Sequence, residues 1–318
     1  MSKSDLKKSL LNNEMVLCGG VWDSLSAIIE EKAGFKAVKL GSSQMNASLG
    51  LPDLGLVTAA EVRDRIYNIA GHIEIPLVVD FESGFGSEKD FASAAYWAGE
   101  FERAGAAAIH IDDYGDDKCP WLPPYIPEMM SAESIADKIK AICDHRKSDD
   151  FMIIVRSGAT SSCSFEDKEA AFEESMRRFK MWREAGADIV WPRCFTMEHL
   201  IRARDELGGI LSQSVASKVG QGRVGAGGRT ESKYISAHEY HEMGYNLLTV
   251  GATMQTIIMK SLADASKLMV ESGGDAREID SLAMPFNEWI ELVGFSYWNK
   301  VNGNWADSIK RNIHFLEI

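Results

Sequence analysis

The stretch FERAGAAAIHI, residues 101–111, joins the end of a helical pattern to a buried strand through a single glycine. Gly105 suits the left-handed conformation that ends many helices, and the apolar run after it is typical of a strand covered on both faces. The same joint recurs around glycines 34, 186 and 244, in EEKAGFKAVKL, WREAGADIVWP and YHEMGYNLLTV. Four copies of one helix-to-strand joint predict repeating βα units and a parallel sheet.

Short apolar runs predict eight strands, at residues 15–18, 37–41, 76–80, 108–112, 151–156, 188–192, 209–214 and 246–250. Helical patterns fall between them, and the clearest begins after Ser131, a suitable N-cap. Eight strands with intervening helices favour an α/β fold of the (β/α)8 TIM-barrel type. An open doubly wound sheet is the alternative, weakened because no G-x-G-x-x-G follows the first strand.

The length of 318 residues suits one large barrel with additions. We therefore predict a single barrel domain over residues 1–318. An N-terminal helical extension covers residues 1–14, and the eighth helix with a C-terminal helical extension covers residues 253–318. The aromatic stretch in the last segment needs a covering partner, either the end of the barrel itself or another subunit.

Composition limits the partners of this protein. The formal net charge of −13 argues against a nucleic-acid partner, which would need a basic face. Five cysteines without C-x-x-C spacing are typical of reduced thiols in a cytoplasmic protein. Neither a signal peptide nor a membrane-spanning run is predicted, so we expect a small anionic substrate, no membrane and a cytoplasmic location.

Acidic residues follow two neighbouring predicted strands, at the ends where barrels carry their chemistry. Asp80 and Glu82 follow the third strand, and Asp112 ends the fourth. Magnesium in proteins takes one or two direct carboxylates and keeps waters held by others. Helix capping or pairing with arginine is the structural alternative. The convergence of these acids favours a Mg²⁺ site, with Mn²⁺ as a possible substitute.

Two arginines follow the fifth and sixth strands, Arg156 and Arg193. Arginine grips a carboxylate or a phosphate through two parallel hydrogen bonds. A salt bridge to one of the rim acids is an equally good interpretation of either residue alone. A metal with two arginines describes a site for a small di- or tri-anion.

Several of these segments together resemble the isocitrate lyase/phosphoenolpyruvate mutase superfamily, and within it the methylisocitrate lyase-like branch. The matching segments are VWDSLSA, AGFKAVKLGSS, SLGLPDLGLVT, VDFESGFG, AGAAAIHIDD, DDFMIIVRSGA and EAGADIVWP. The resemblance implies a (β/α)8 barrel, a Mg²⁺ site and α-oxyacid substrates. It also implies a homotetramer, a dimer of dimers that exchange their C-terminal helices.

The resemblance assigns roles by position. Glu82 stands where the family has its metal-binding aspartate, and Asp80 and Asp112 stand at positions that hold the metal waters.

The resemblance implies a substrate site as well. Ser42 and Ser43 lie where backbone amides hold the carboxylate of a pyruvyl or glyoxylyl group. Asp53 matches the aspartate of the family segment L-P-D-L-G, and Arg156 matches its substrate-binding arginine.

The segment DDKCPWLPP, residues 116–124, stands where the family lyases carry K-[KR]-C-G-H. Lys118 and Cys119 align with one residue deleted, and the K-T-N-S of the mutases is absent. A thiol near a metal and a lysine can work as an acid. Cys119, assisted by Lys118, is therefore the predicted general acid of a C–C cleavage, and a plain loop cysteine is the alternative.

Two positions depart from the family pattern. Arg193 replaces a glutamate, and Gln213 begins QSV in place of N-x-T. We predict that both contact the substrate, which indicates a substrate other than methylisocitrate or a loss of activity. The glycine-rich stretch 217–234 is interpreted as a surface loop, with a lid over an anionic substrate as the less favoured alternative.

These observations predict a Mg²⁺-dependent lyase that cleaves a C–C bond of a 2-hydroxy di- or tricarboxylate to a 2-oxo acid and a carboxylate. One alternative is C–P chemistry, as in a phosphonopyruvate hydrolase or a phosphoenolpyruvate mutase. The other is an oxyacid-binding relative without catalysis.

Overall fold

The computed structural model describes residues 3–115, 128–160, 167–194, 196–215 and 235–302. Lys118, Cys119 and the glycine-rich stretch 217–234 lie outside the described residues, so the predictions made for them stay predictions.

Parallel strands close into a barrel in sequence order, with β8 paired to β1. The strands are β1 (Val16–Val21), β2 (Ala37–Leu40), β3 (Leu77–Asp80), β4 (Ala108–Asp112), β5 (Met152–Arg156), β6 (Ile189–Val190), β7 (Ile210–Ser214) and β8 (Leu247–Thr249). The predicted barrel is confirmed, and the alternative of an open sheet is wrong. The first strand continues three residues beyond its predicted end, through Gly19 and Gly20.

Helices alternate with the strands along the chain, and further helices precede the first strand and follow the last. They are α1 (Lys3–Leu11), α2 (Ser24–Ala33), α3 (Ser42–Ser48), α4 (Ala59–Ala70), α5 (Phe91–Ala104), α6 (Ala132–His145), α7 (Lys168–Glu184), α8 (Met197–Leu207), α9 (Ala237–Glu242), α10 (Thr253–Glu271), α11 (Phe286–Leu292) and α12 (Phe295–Val301). As predicted, Ser131 caps α6, because its hydroxyl accepts a hydrogen bond from the Ser134 amide at 3.2 Å.

The glycine joints have the predicted conformation. The φ angles at glycines 34, 105, 186 and 244 are 102°, 120°, 116° and 88°. Each angle lies in the left-handed region of φ, which residues with a Cβ atom rarely adopt. Glycine therefore allows the chain to leave a helix and enter the next strand.

The two ends of the barrel differ in polarity. Leu6 and Leu10 of α1 are buried in one cluster with interior residues such as Val16, Ala108 and Ile189. Three buried charged residues lie at the carboxyl ends of neighbouring strands, where β3, β4 and β5 finish in Asp80, Asp112 and Arg156. Apolar packing at the amino end and charged groups at the carboxyl end restrict the candidate site to one end.

The chain divides into two compact units, Met1–Ile257 and Ile258–Ile318. The barrel belongs to the first unit. In its described part, the second unit holds most of α10, two 3-10 turns, α11 and α12, and many of its large apolar side chains are exposed, including Phe286, Trp289 and Trp298. Across the described segments, we find no helix with the length and apolar character needed to cross a membrane.

Candidate metal centre

Strand register brings the predicted acids together. Asp80 on β3 lies beside His110 on β4, and Asp112 on β4 lies beside Arg156 on β5. Side chains two residues apart on a strand share a face, so His110 and Asp112 both face the same site.

Asp80, His110 and Asp112 form one compact group of potential metal ligands among the described residues. Each contributes a ligand atom, and these atoms lie within 4.8 Å of one another. All three side chains are buried. Glu82, the predicted direct ligand, does not belong to this group, so its role as a ligand stays a prediction.

Arg156 binds Asp112 through two hydrogen bonds. Its Nε donates to Oδ1 at 2.8 Å, and its Nη2 donates to Oδ2. Burial opposes the charge of the carboxylate, but Arg156 and His110 outweigh it and lower the pKa of Asp112. The salt bridge to a rim acid, which was the alternative interpretation of Arg156, is therefore present. Among the described residues, Nη1 of Arg156 has no acceptor, so the same guanidinium can still receive another anion.

Lys39 lies at the centre of the site, on β2, and is buried. Its Nζ lies 3.1 Å from Nδ1 of His110 and 4.0 Å from Oδ2 of Asp80. Burial lowers the pKa of Lys39 to about 8, although the charge of Asp80 opposes this change. Lys39 therefore carries a positive charge at pH 7, next to two of the candidate ligands.

His110 is neutral at pH 7, because burial and the nearby charge of Lys39 lower its pKa to about 4. A lysine ammonium group only donates, so Nδ1 of His110 accepts, and in the neutral ring the proton is on Nε2. Nε2 lies 3.2 Å from Oδ1 of Asp112 but forms no well-aligned hydrogen bond.

The ring of Trp191 packs against these charged groups. Its centroid lies 4.6 Å from Nζ of Lys39, 5.1 Å from Cζ of Arg156 and 5.0 Å from the centroid of the His110 ring. Cations favour the face of an aromatic ring, so Trp191 helps to hold two positive charges in one buried region.

A cleft opens beside Asp80, lined by Ser42, Asn46 and Glu82 among others. The amide and the hydroxyl of Ser42 each donate to Oδ2 of Asp80 at 3.4 Å, and the same hydroxyl lies 3.4 Å from Oδ2 of Asp53. Predicted substrate and metal residues are thus brought together around Ser42. Ser43 is the next residue of α3 and is half-buried.

Glu82 occupies a strained turn after β3. Its φ of 52° lies in the left-handed region, which costs free energy for a residue other than glycine. The Asp112 amide donates to the Glu82 carbonyl at 2.7 Å, and the Glu82 amide donates to Oδ1 of Asp80 at 3.3 Å. The Glu82 backbone therefore ties β3 to β4 at the site.

Gln213 and Arg193, the two residues that depart from the family pattern, lie in different surroundings. Gln213 is buried, with Nε2 donating to the Pro192 carbonyl at 2.9 Å and Oε1 lying 3.4 Å from Nε1 of Trp191. Its amide thus supports Trp191. Arg193 is half-buried in the segment after β6. A substrate contact stays a prediction for both residues.

A second buried ion pair supports the end of β5. Asp113 accepts hydrogen bonds from Nη1 of Arg178 at 3.0 Å and from the hydroxyl of Ser157 at 2.9 Å. Burial raises the pKa of Asp113 to about 6, although Arg178 opposes this change. Because Ser157 follows Arg156 directly, this network fixes the backbone from which the Arg156 side chain extends.

Comparison with known proteins agrees with this geometry. Residues 6–270 match the protein family described as phosphoenolpyruvate phosphomutase. This chain belongs to that family, within the isocitrate lyase/phosphoenolpyruvate mutase superfamily. The resemblance found in the sequence is therefore confirmed.

Two relatives of this family member are named as lyases. It is 27% identical to a 2-methylisocitrate lyase of Aeropyrum pernix, over 93% of this chain and 88% of that protein. It is also 27% identical to a 2,3-dimethylmalate lyase of Eubacterium barkeri, over 95% of this chain and 97% of that protein. These names agree with the prediction of a carbon–carbon lyase.

The fold agrees with solved structures of the superfamily. A phosphonopyruvate hydrolase, solved in complex with oxalate and Mg²⁺, superimposes with a TM-score of 0.78 at 21% identity. The match covers 96% of this chain and 100% of that one. At this identity the likeness establishes the barrel fold alone.

Two residues of this family member escaped prediction as site residues. Lys39 interrupts the apolar run AVKL, and His110 lies two positions before Asp112 in AIHID. A charged residue in a buried strand, and a histidine on the same strand face as a rim acid, are the signals that identify them.

The donors of this site suit a divalent cation. Carboxylate oxygens are preferred by Mg²⁺ and Mn²⁺, and a neutral imidazole binds many divalent metals. Asp80 and Asp112 provide carboxylate oxygens within one buried group, in which the ring nitrogens of His110 lie next to Lys39 and Asp112. The residues present therefore fit a metal.

Proposed function

We propose that this protein is a Mg²⁺- or Mn²⁺-dependent lyase. It would cleave a C–C bond of a 2-hydroxy di- or tricarboxylate to a 2-oxo acid and a carboxylate. The observation that carries the proposal is the convergence of Asp80, Asp112, His110 and Arg156 at the carboxyl end of the barrel. Relatives named as lyases that match nearly the whole chain support it.

Each residue of the site has a part in the proposed reaction. Asp80 and Asp112 hold the cation directly or through its waters, with Glu82 beside them at the cleft. A bound divalent cation supplies positive charge next to the hydroxyl and carboxylate oxygens of the substrate. Arg156 binds a substrate carboxylate through Nη1 while its other edge holds Asp112.

The proposed cleavage transfers one electron pair and one proton. The proton of the substrate hydroxyl passes to solvent, from which the thiolate of Cys119 later recovers one, and the hydroxyl oxygen becomes the carbonyl oxygen of the 2-oxo acid. The electrons of the broken C–C bond remain on the departing carboxylate fragment, and Cys119 gives that fragment a proton. Backbone amides near Ser42 and Ser43 bind the carboxylate of the forming 2-oxo acid.

The second candidate is C–P chemistry on a phosphonate. The name of the matched family favours it, as does the pair of buried cations Lys39 and Arg156 around Trp191. A doubly charged phosphonate would suit two positive side chains.

A substrate panel tests the proposal. The protein is incubated with 2-hydroxy di- and tricarboxylates and with phosphonopyruvate, with and without Mg²⁺ or Mn²⁺. Release of a 2-oxo acid and of inorganic phosphate is then followed. Metal-dependent 2-oxo acid from a hydroxy acid supports the lyase, whereas phosphate from phosphonopyruvate supports C–P chemistry. If neither product is released from any substrate while the protein still binds metal, both proposed reactions are contradicted. That result would favour an oxyacid-binding protein.

We further propose that the protein assembles as a homotetramer through its C-terminal helices. Large apolar side chains of the second unit, including Phe286, Trp289 and Trp298, are exposed in the single chain. Exposed apolar patches of this kind mark protein interfaces.

A further inference from the structure

We infer that Lys39 is a positioning residue that keeps His110 from coordinating the metal and weakens the affinity of the site for a divalent cation. The inference rests on the metal-dependent function proposed above. Neither the sequence motifs nor the proposed C–C cleavage gave Lys39 a role.

Lys39 contacts the ring of His110 at hydrogen-bond distance. Nζ lies 3.1 Å from Nδ1, and the ammonium group has no lone pair, so Nδ1 uses its own lone pair to accept. A metal needs that lone pair. The other ring nitrogen faces Oδ1 of Asp112 at 3.2 Å. His110 therefore lies between Lys39 and Asp112, and its Nδ1 is occupied by the contact with Lys39.

Positively charged side chains lie beside both candidate carboxylate ligands. Nζ of Lys39 lies 4.0 Å from Oδ2 of Asp80, and Arg156 holds Asp112 by two hydrogen bonds. Each candidate carboxylate ligand thus already has a positive partner. A divalent ion placed among the three ligands would lie close to the Lys39 charge in a buried region, where repulsion between like charges is strong.

The side chain of Lys39 is enclosed by its neighbours. Its side chain is buried, and the Trp191 ring lies 4.6 Å from Nζ. Burial between the ring and His110 prevents the long side chain from swinging into solvent when a cation enters. The repulsion is therefore not relieved by a simple change of rotamer.

Substitution of Lys39 tests the inference through metal binding, measured by isothermal titration with Mn²⁺ at pH 7. Lys39→Met removes the charge and keeps the length of the side chain, and it should tighten Mn²⁺ binding by about tenfold or more. Lys39→Gln, which keeps a donor, serves if the methionine variant fails to fold. Lys39→Arg keeps the charge and should bind Mn²⁺ as weakly as the wild type. If Lys39 only supported the structure, all three variants should bind Mn²⁺ more weakly than the wild type.

The matched control is Lys36→Met, which removes an exposed lysine before the same strand and should leave Mn²⁺ affinity unchanged. Electron spin-echo spectroscopy of bound Mn²⁺ gives a second readout. We expect no coupling to a histidine nitrogen in the wild type. Such coupling in the wild type would overturn the inference, as would equal affinity in the wild type and Lys39→Met or tighter binding in Lys39→Arg.

Failure of the proposed metal-dependent function would give a different result in the same Mn²⁺ titrations. If Mn²⁺ binds neither to the wild type nor to any variant at Lys39, the metal-dependent function itself is wrong. If Mn²⁺ binds equally to all of them, only the role of Lys39 is wrong.

Discussion

The guanidinium of Arg156 holds the carboxylate of Asp112 from two sides, with Nε donating to Oδ1 at 2.8 Å and Nη2 donating to Oδ2. Both side chains are buried, 8% and 3% exposed. A buried pair of this kind has little net effect on stability as long as both partners are present, because desolvation offsets their attraction. Removing one partner leaves the other charge alone in the interior.

Arg156→Met should therefore lower the free energy of unfolding by about 3 kcal/mol. Adding Asp112→Leu should recover part of this loss, because no lone charge then remains. Urea unfolding measures both values. Lys260→Met serves as a control at an exposed pair with Asp264, and it should change stability by less than about 0.5 kcal/mol. An equal loss in Arg156→Met and Lys260→Met would contradict the prediction.

Asp80→Asn should weaken Mn²⁺ binding by about tenfold or more and lower kcat/KM by about a hundredfold. The reason is that Asp80 is one of the two carboxylates in the candidate metal group. Titration calorimetry and steady-state kinetics measure the two effects. Asp64→Asn, at an exposed carboxylate on α4, is the control and should bind and turn over as the wild type does. Unchanged Mn²⁺ binding in Asp80→Asn would remove Asp80 from the metal site.

Cys119→Ser should separate the two candidate reactions. A lyase that uses the thiol as its acid should lose turnover by about a hundredfold, because a serine hydroxyl is a much weaker acid. C–P chemistry should be almost unaffected. Cys143→Ser changes a half-buried thiol on α6 and should keep full activity. Full lyase activity in Cys119→Ser would show that another group protonates the departing fragment.

Glu30 should make stability depend on pH. The side chain is 5% exposed, and burial raises the pKa of Glu30 from 4.5 to about 7, opposed in part by the nearby Gly20 amide. Because the folded state binds this proton more tightly, stability is retained below pH 4.5 and falls as the pH rises toward 7. The loss amounts to about 3 to 3.5 kcal/mol, since the pKa rises from 4.5 to about 7 and one pKa unit corresponds to about 1.4 kcal/mol.

Glu30→Gln should remove this loss, so the variant should be more stable than the wild type at pH 8 and similar to it at pH 4.5. Urea unfolding across that range gives the difference curve. Glu14→Gln changes an exposed glutamate and should keep the wild-type pH dependence. Parallel curves for Glu30→Gln and the wild type would mean that Glu30 does not titrate as described.

Phe286→Asp should dissociate the proposed tetramer. The side chain is 69% exposed in the single chain, and burying a carboxylate in an apolar interface is costly. Light scattering coupled to size exclusion measures the mass. Lys300→Ala, an exposed polar change in the same unit, should leave the mass unchanged. A wild-type mass of one chain would reject the tetramer.

Local sequence patterns were enough to predict the barrel fold and the end of the barrel that carries the candidate site. The glycine joints, the apolar runs and the Ser131 cap depend on the backbone preferences of single residues and on side-chain periodicity, so the barrel and most strand ends could be predicted. The positions of Asp80, Asp112 and Arg156 at one end also followed, because parallel strands of a barrel present their carboxyl ends together.

Only the tertiary structure decided how these charges pair. Strand register and barrel closure place Lys39 from β2 against His110 from β4, across 71 residues of chain, and join Arg156 to Asp112. Register is set by the packing of the whole barrel, so no local pattern reveals which acid meets which base. The same packing places the side chain of Gln213 against Trp191. It also places Lys39, the one charged residue of an apolar strand, at the centre of the site.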